Sequence, residues 1–162
     1  MFATRVRSKG NDVDLEGGTM PTYLIVANQT LGGAELLDEV TKVAATGPCD
    51  FYLVVPATAP KEHLTWTEGE ARTIAARRLE EGLTHLRSAG ITVEGEVGDA
   101  SPIMAVDDAL RHRTVDRVIV CTLPIGMSRW LKLSLPNRIE RKHKVAVTHL
   151  VIQPETSEAA KG

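Results

Sequence analysis

The stretch YLIVANQTLGGAELLDEVTKVAATGPCDFYLVV, residues 23–55, carries the pattern from which the rest of the chain is read. Tyr23-Leu-Ile-Val-Ala27 is an apolar run of strand length with no polar alternation, the pattern of a strand covered on both faces. Gly32-Gly33 breaks it. Leu36, Leu37, Val40, Val43 and Ala44 then recur at helical spacing, and Gly47-Pro48 stops that helix, glycine just past the end and proline behind it. Phe51-Tyr-Leu-Val-Val55 is a second apolar run, closed by Pro56. Two buried strands joined by an amphipathic helix predict a parallel β-α-β unit.

The same alternation continues. Thr67-Glu-Gly-Glu70 has the form of a capping box and opens a long helix with Ile74, Leu79, Leu83 and Leu86 on one stripe, ended by Gly90. Ile91 to Val97 alternates like a strand, and Ser101-Pro102 starts a helix with Ile103, Val106 and Leu110 turned inward. Arg117-Val-Ile-Val-Cys121 is a fourth strand. A Gly/Ser/Pro-punctuated segment, Leu123 to Pro136, leads to a short basic helix, and Val145 to Ile152 is the fifth strand. The expected fold is α/β: an open, doubly wound, five-stranded parallel sheet with helices on both faces. Residues 1–19 read as a disordered leader, 20–153 as one domain and 154–162 as a polar tail.

The bulk properties exclude several classes. A net charge of −2 in 162 residues gives no general reason to expect nucleic acid. No apolar run approaches the roughly 20 residues that cross a bilayer, and no apolar stretch follows the N-terminal cations as in a secretory signal. Cys49 and Cys121 are isolated, without metal or redox spacing, and fit a reducing, cytoplasmic setting. His63, His85, His112, His143 and His149 show no metal-ligand pattern. His85 and His112 read as solvated, while His149, alternating with Val147 and Val151, reads as buried or at an interface. Ser128 lacks the spacing of a hydrolase elbow, and no general base has a visible nucleophile, so catalysis is not expected.

In a doubly wound fold, ligands bind beyond the carboxyl ends of the strands. After strand four, Gly126 admits close backbone approach. Ser128, Ser134 and Asn137 offer hydrogen bonds, and Arg129 and Lys132 add charge before a helix N-terminus, a setting suited to phosphate. Ser134 and Asn137 also read simply as caps. After strand one, Asn28 is a candidate contact to a base or ribose, or a turn residue, and Gly32 and Gly33 let a backbone approach a ligand. In the turn Gly98-Asp99, the aspartate reads as a ribose ligand or as a turn former beside Ser101. Arg138-Ile-Glu-Arg-Lys-His-Lys144 reads as a solvated basic helix end.

The order of elements, with Val97-Gly-Asp-Ala-Ser-Pro-Ile-Met-Ala-Val-Asp-Asp-Ala-Leu and Val115-Asp-Arg-Val-Ile-Val, resembles the universal stress protein family over Pro21 to Gln153. The resemblance implies strand order 3-2-1-4-5, a homodimer through the last strand (Val145 to Ile152), and in a subset ATP or AMP as ligand. It also sets a departure. The family's ATP signature, Gly-x2-Gly-x9-Gly-Ser/Thr, falls on Cys121, Pro124 and Ser134-Leu135, its last pair moving to Leu135-Pro136 or Pro136-Asn137 with a shift of one or two residues. Every glycine is lost in each case, and the family's aspartate at the end of strand one falls on Asn28. Two functions are therefore expected: a stress-associated protein binding an adenine nucleotide or another phosphate-bearing ligand, or a ligand-free dimeric interaction module presenting Trp130, Leu131 and Leu133 as an apolar surface.

Overall fold

A computed structural model describes residues 20–28, 30–58, 67–124, 130 and 134–153. The expected leader 1–19 and tail 154–162 lie outside the described residues, as do His63, Gly126, Ser128, Arg129, Leu131, Lys132 and Leu133. The elements run β1 (Thr22–Val26), α1 (Ala34–Ala45), β2 (Asp50–Pro56), α2 (Glu68–Ser88), β3 (Val93–Gly98), α3 (Pro102–His112), β4 (Arg117–Thr122), α4 (Leu135–His143) and β5 (Ala146–Val151). Every strand pair is parallel and the order is β3-β2-β1-β4-β5. This is the open doubly wound sheet that the alternation of apolar strands and amphipathic helices predicts.

β1 lies at the centre, and its Leu24, Ile25 and Val26 have no exposed surface. The period of two along the strand sends Leu24 and Val26 to one face and Ile25 to the other. On the first face they join Val54, Val118 and Val120 beneath Val106, Leu135 and Ile139 of α3 and α4. On the second, Ile25 joins Leu53, Val55 and Ile119 beneath Leu36, Val40, Leu83 and Leu86 of α1 and α2. Trp130 packs into the α3/α4 side at 7% exposure, which corrects its expected place on an apolar surface. A side chain of its size is better accommodated in this core than left in water.

The helix starts obey their sequence signals. Thr67 Oγ1 accepts from the Glu70 amide at 3.0 Å while Glu70 Oε1 accepts from the Thr67 amide at 2.9 Å, completing the capping box. Ser101 Oγ accepts from the Met104 amide, with Pro102 in the first turn. α3 and α4 are clamped by Asp107, whose carboxylate accepts from Lys142 Nζ and from His143 Nε2, each at 2.7 Å. Burial alone would raise the Asp107 carboxyl, but the two hydrogen bonds and their charges outweigh it and hold it below 3.8.

The two edges of the sheet differ in character. β3 (VEGEVG) carries Glu94 and Glu96, and Tyr52 donates to Glu96 at 3.0 Å beneath Arg113, which lies 3.5 Å from the ring centroid. Burial, then this hydrogen bond, pushes the Tyr52 phenol up to about 12, so it stays a donor. β5 (AVTHLV) has no carboxylate, lysine or arginine, and Val151 is 41% exposed.

α4 has no glycine at either boundary, yet Ser134 before it and Lys144 after it both take φ 55, the left-handed region. That conformation costs an L residue about 1–2 kcal/mol that glycine does not incur. Lys144 ends the helix in this geometry, its amide donating to the Glu140 carbonyl at 2.9 Å. Lys144→Gly is expected to stabilise the protein by about 0.5–1 kcal/mol once the greater freedom of glycine in the unfolded chain is subtracted. Urea denaturation checks this, and a loss of stability would contradict the cap geometry.

Candidate functional site

The chain leaves β1 toward one face of the sheet and β4 toward the other, so a crevice opens beyond their carboxyl ends. Asn28, just past β1, is 8% exposed. Its Nδ2 donates to the Pro56 carbonyl at 2.6 Å, and its Oδ1 accepts from Nη1 of Arg78 on α2. A guanidinium only donates and a carbonyl only accepts, which fixes the orientation of the amide. Asn28 thus ties the end of β1 to the end of β2 and to α2. It bonds a neighbouring strand rather than its own turn.

Arg78 is the residue that sequence reasoning missed. It occupies the inner row of α2 with Ala75 and Gly82, three and four positions away, beside the buried Leu79. The signal was there: a cation in the middle of an inward row calls for a buried acceptor.

The loop from β1 is tied to β4 by the buried Thr30, whose hydroxyl donates to the Cys121 carbonyl at 3.5 Å. Gly32 is open: a Cβ there would meet nothing within 4 Å. At Gly33 a Cβ would lie 2.4 Å from Ile152 Cγ2, so glycine lets the end of β5 pack over the start of α1. Glu35 of that first turn accepts from the Gln153 amide at 3.1 Å. Gly98 has a similar packing reason, since its Cβ would sit 2.7 Å from the Ala105 Cβ. Asp99 Oδ1 accepts from the Ser101 amide at 2.8 Å, the turn role, and its side chain is exposed.

Beyond β4, Cys121 is buried, which pushes its thiol up to about 12 and makes it inert; burial, then Asp50, also raises the Cys49 thiol. Thr122 Oγ1 and His149 Nε2 share a hydrogen bond of 2.7 Å, and the Thr122 carbonyl accepts from the Ile152 amide. Thr122 is 2% exposed, so its hydroxyl is no nucleophile. His149 is exposed within the chain. His85, expected to be solvated, is half-buried, and its Nε2 is enclosed without a hydrogen-bond partner. Ser134 stands at the N-terminus of α4, exposed and with no side-chain cap bond, and Asn137 lies exposed in the first turn. Among the described residues no group of three His, Cys, Asp or Glu could hold a metal, and no helix is long and apolar enough to cross a membrane.

The described part of the site therefore gathers Asn28, Arg78, Gly32 and Gly33 around the end of β1, with Thr122 at the end of β4. Gly98 and Asp99 stand at the end of β3, an edge strand, separated from β1 by β2. These features define an open doubly wound α/β protein with a cluster of buried polar side chains at its reversal point. No protein-family model matches the sequence, and no curated protein matches it. Among solved structures, the crystal structure of universal stress protein in complex with cAMP is similar at a TM-score of 0.55 and 18% identity. The match covers 82% of this chain and 97% of that one. At this identity the likeness is one of fold.

Asn28→Ala removes a donor from Pro56 and an acceptor from Arg78 in a buried place. It is expected to cost about 1–3 kcal/mol, read as a lowered denaturation midpoint at unchanged slope. An unchanged midpoint would contradict the bridging role.

Proposed function

We propose that this chain is a universal-stress-type protein acting in the cytoplasm in a stress response. It binds an adenine nucleotide, ATP or AMP, or another phosphate-bearing ligand in the crevice beyond β1 and β4. The observation that carries this is the reversal point itself, where the Arg78 guanidinium stands at the end of β1 and α4, whose Ser134 makes no side-chain cap bond, follows β4. The fold likeness to a protein solved with cAMP supports the adenine class. Ser134 adds support: in the unshifted alignment it takes the place of the third signature glycine, and its φ of 55 is a conformation that glycine adopts freely. Arg129 pairs with phosphate and Gly126 admits it, with Ser128, Ser134 and Asn137 as donors. Asn28, Gly32 and Gly33 would contact the base and ribose side, and Gly98 and Asp99 would take part only if the ligand extended past β2 to the end of β3. The chain pairs with a second copy through β5, its uncharged edge, and turnover is absent or slow.

A second reading is a ligand-free dimeric module. The engaged amide of Asn28 and the packing reasons for Gly33 and Gly98 favour it, since all three residues have work to do without a ligand. Its surface is then the β5 edge, because Trp130 is buried.

Mass spectrometry of small molecules released from natively purified protein, with a thermal-shift series of ATP, ADP, AMP and cAMP, separates the two. A true ligand at 100 times its dissociation constant adds about 2.7 kcal/mol. Arg129→Ala is expected to weaken that ligand roughly tenfold or more, the worth of a charged hydrogen bond, with the melting temperature of the free protein unchanged. Empty protein and a flat series would put the interaction module first.

A further inference from the structure

Each strand of this sheet except the outer two is paired on both sides, and the open side of β5 is defined by its backbone. The Ile152 amide donates to the Thr122 carbonyl at 2.7 Å. With a period of two, Ala146, Thr148 and Leu150 also turn their backbone groups toward β4, while Val147, His149 and Val151 turn theirs outward. His149 therefore belongs to the row that a further strand would meet, near the middle of β5.

We propose that pH controls the self-association of this chain, with His149 as the residue that opposes pairing when it is protonated. This rests on the β5 dimer put forward above. Two copies related by a two-fold axis pair β5 antiparallel, and facing residues then share a face of the joined sheet. The outward row allows two central registers. One sets His149 against the partner's His149, about 5.5 Å between Cα atoms. The other sets it against the partner's Val147, with the two histidines about 8 Å apart. In both, two imidazolium charges would approach each other beside apolar valines.

Little on the chain itself would neutralise them. The neighbours of His149 on β4 are Val120 and Thr122, and its bonded partner is the uncharged Thr122 hydroxyl. α4, packed on the same face, offers Arg138, Glu140 and Arg141, while its Lys142 and His143 are held on Asp107. α1, toward the other face, presents Glu35 and Glu39, the first bonded to the Gln153 amide and the second to Lys42. Among the described residues no carboxylate lies within ion-pair distance of His149. Partial burial holds its imidazole below the usual 6.5. The unfolded chain therefore binds the proton at higher pH than the folded one, so stability is full above 6.5 and falls as pH drops through and below it. Pairing exaggerates the same sign, because a second copy removes more water and adds a like charge.

Sedimentation equilibrium at about pH 8 and about pH 5, spanning the histidine range, tests this, with circular dichroism to verify the fold at each. The expected result is a dimer whose dissociation constant rises about tenfold or more toward acid. His149→Gln and His149→Asn should remain dimeric and lose the dependence, while His143→Gln keeps it. In the unmodified protein, the His149 ring followed by NMR should titrate at lower pH in concentrated than in dilute solution. A dimer insensitive to pH, or one whose dependence survives in the His149 variants, overturns the proposal and leaves the dimer standing. A monomer at pH 8 removes the dimer and the switch together.

Discussion

The burial of β1 between two helix layers is the constraint on which the rest of this structure depends. Leu24, Ile25 and Val26 lose all contact with water, and each such side chain is worth about 1.5–3 kcal/mol relative to exposure. A strand buried on both faces needs helices on both faces. That requires the chain to wind outward to β3, cross back beside β1, and wind outward again to β5. The crevice beyond β1 and β4 is the geometric residue of that reversal. A ligand bound there, as proposed, would owe its place to topology before any particular side chain.

The parts of the fold that followed physical periodicities were legible in the sequence. Continuous apolar runs marked β1, β2 and β4 because both of their faces are covered, and Thr67, Glu70 and Ser101 marked helix starts because an orphan amide needs an acceptor. The α4 boundaries were less distinct: Ser134 and Lys144 adopt a glycine-like conformation without being glycine, so no residue type announces it. Trp130 differs from its expected place because an aromatic in a polar loop reads as exposed until the core that receives it is known.

The candidate site was harder to read for a related reason. Glycines and asparagine after strands have two kinds of use, one toward a ligand and one toward the chain, and a sequence shows the residue without the direction. Gly33 and Gly98 are required by the close approach of Ile152 and Ala105, and Asn28 bridges the Pro56 carbonyl and the Arg78 guanidinium. None of this removes the crevice. It places a guanidinium, that of Arg78 on α2, at the end of β1, and leaves Ser134 at α4 without a side-chain cap bond.

The most direct test of a nucleotide in the crevice is an amide-resolved NMR titration of the full chain with ATP, AMP and cAMP. A ligand at the reversal point should shift the amides of Ala27, Asn28, Ala57, Thr122 and Leu123, at the carboxyl ends of β1, β2 and β4. The amides at the opposite ends of the same strands, Thr22, Phe51 and Arg117 among them, should stay still. Shifts confined to that opposite end, or none at saturating nucleotide, would contradict a nucleotide site at the reversal point.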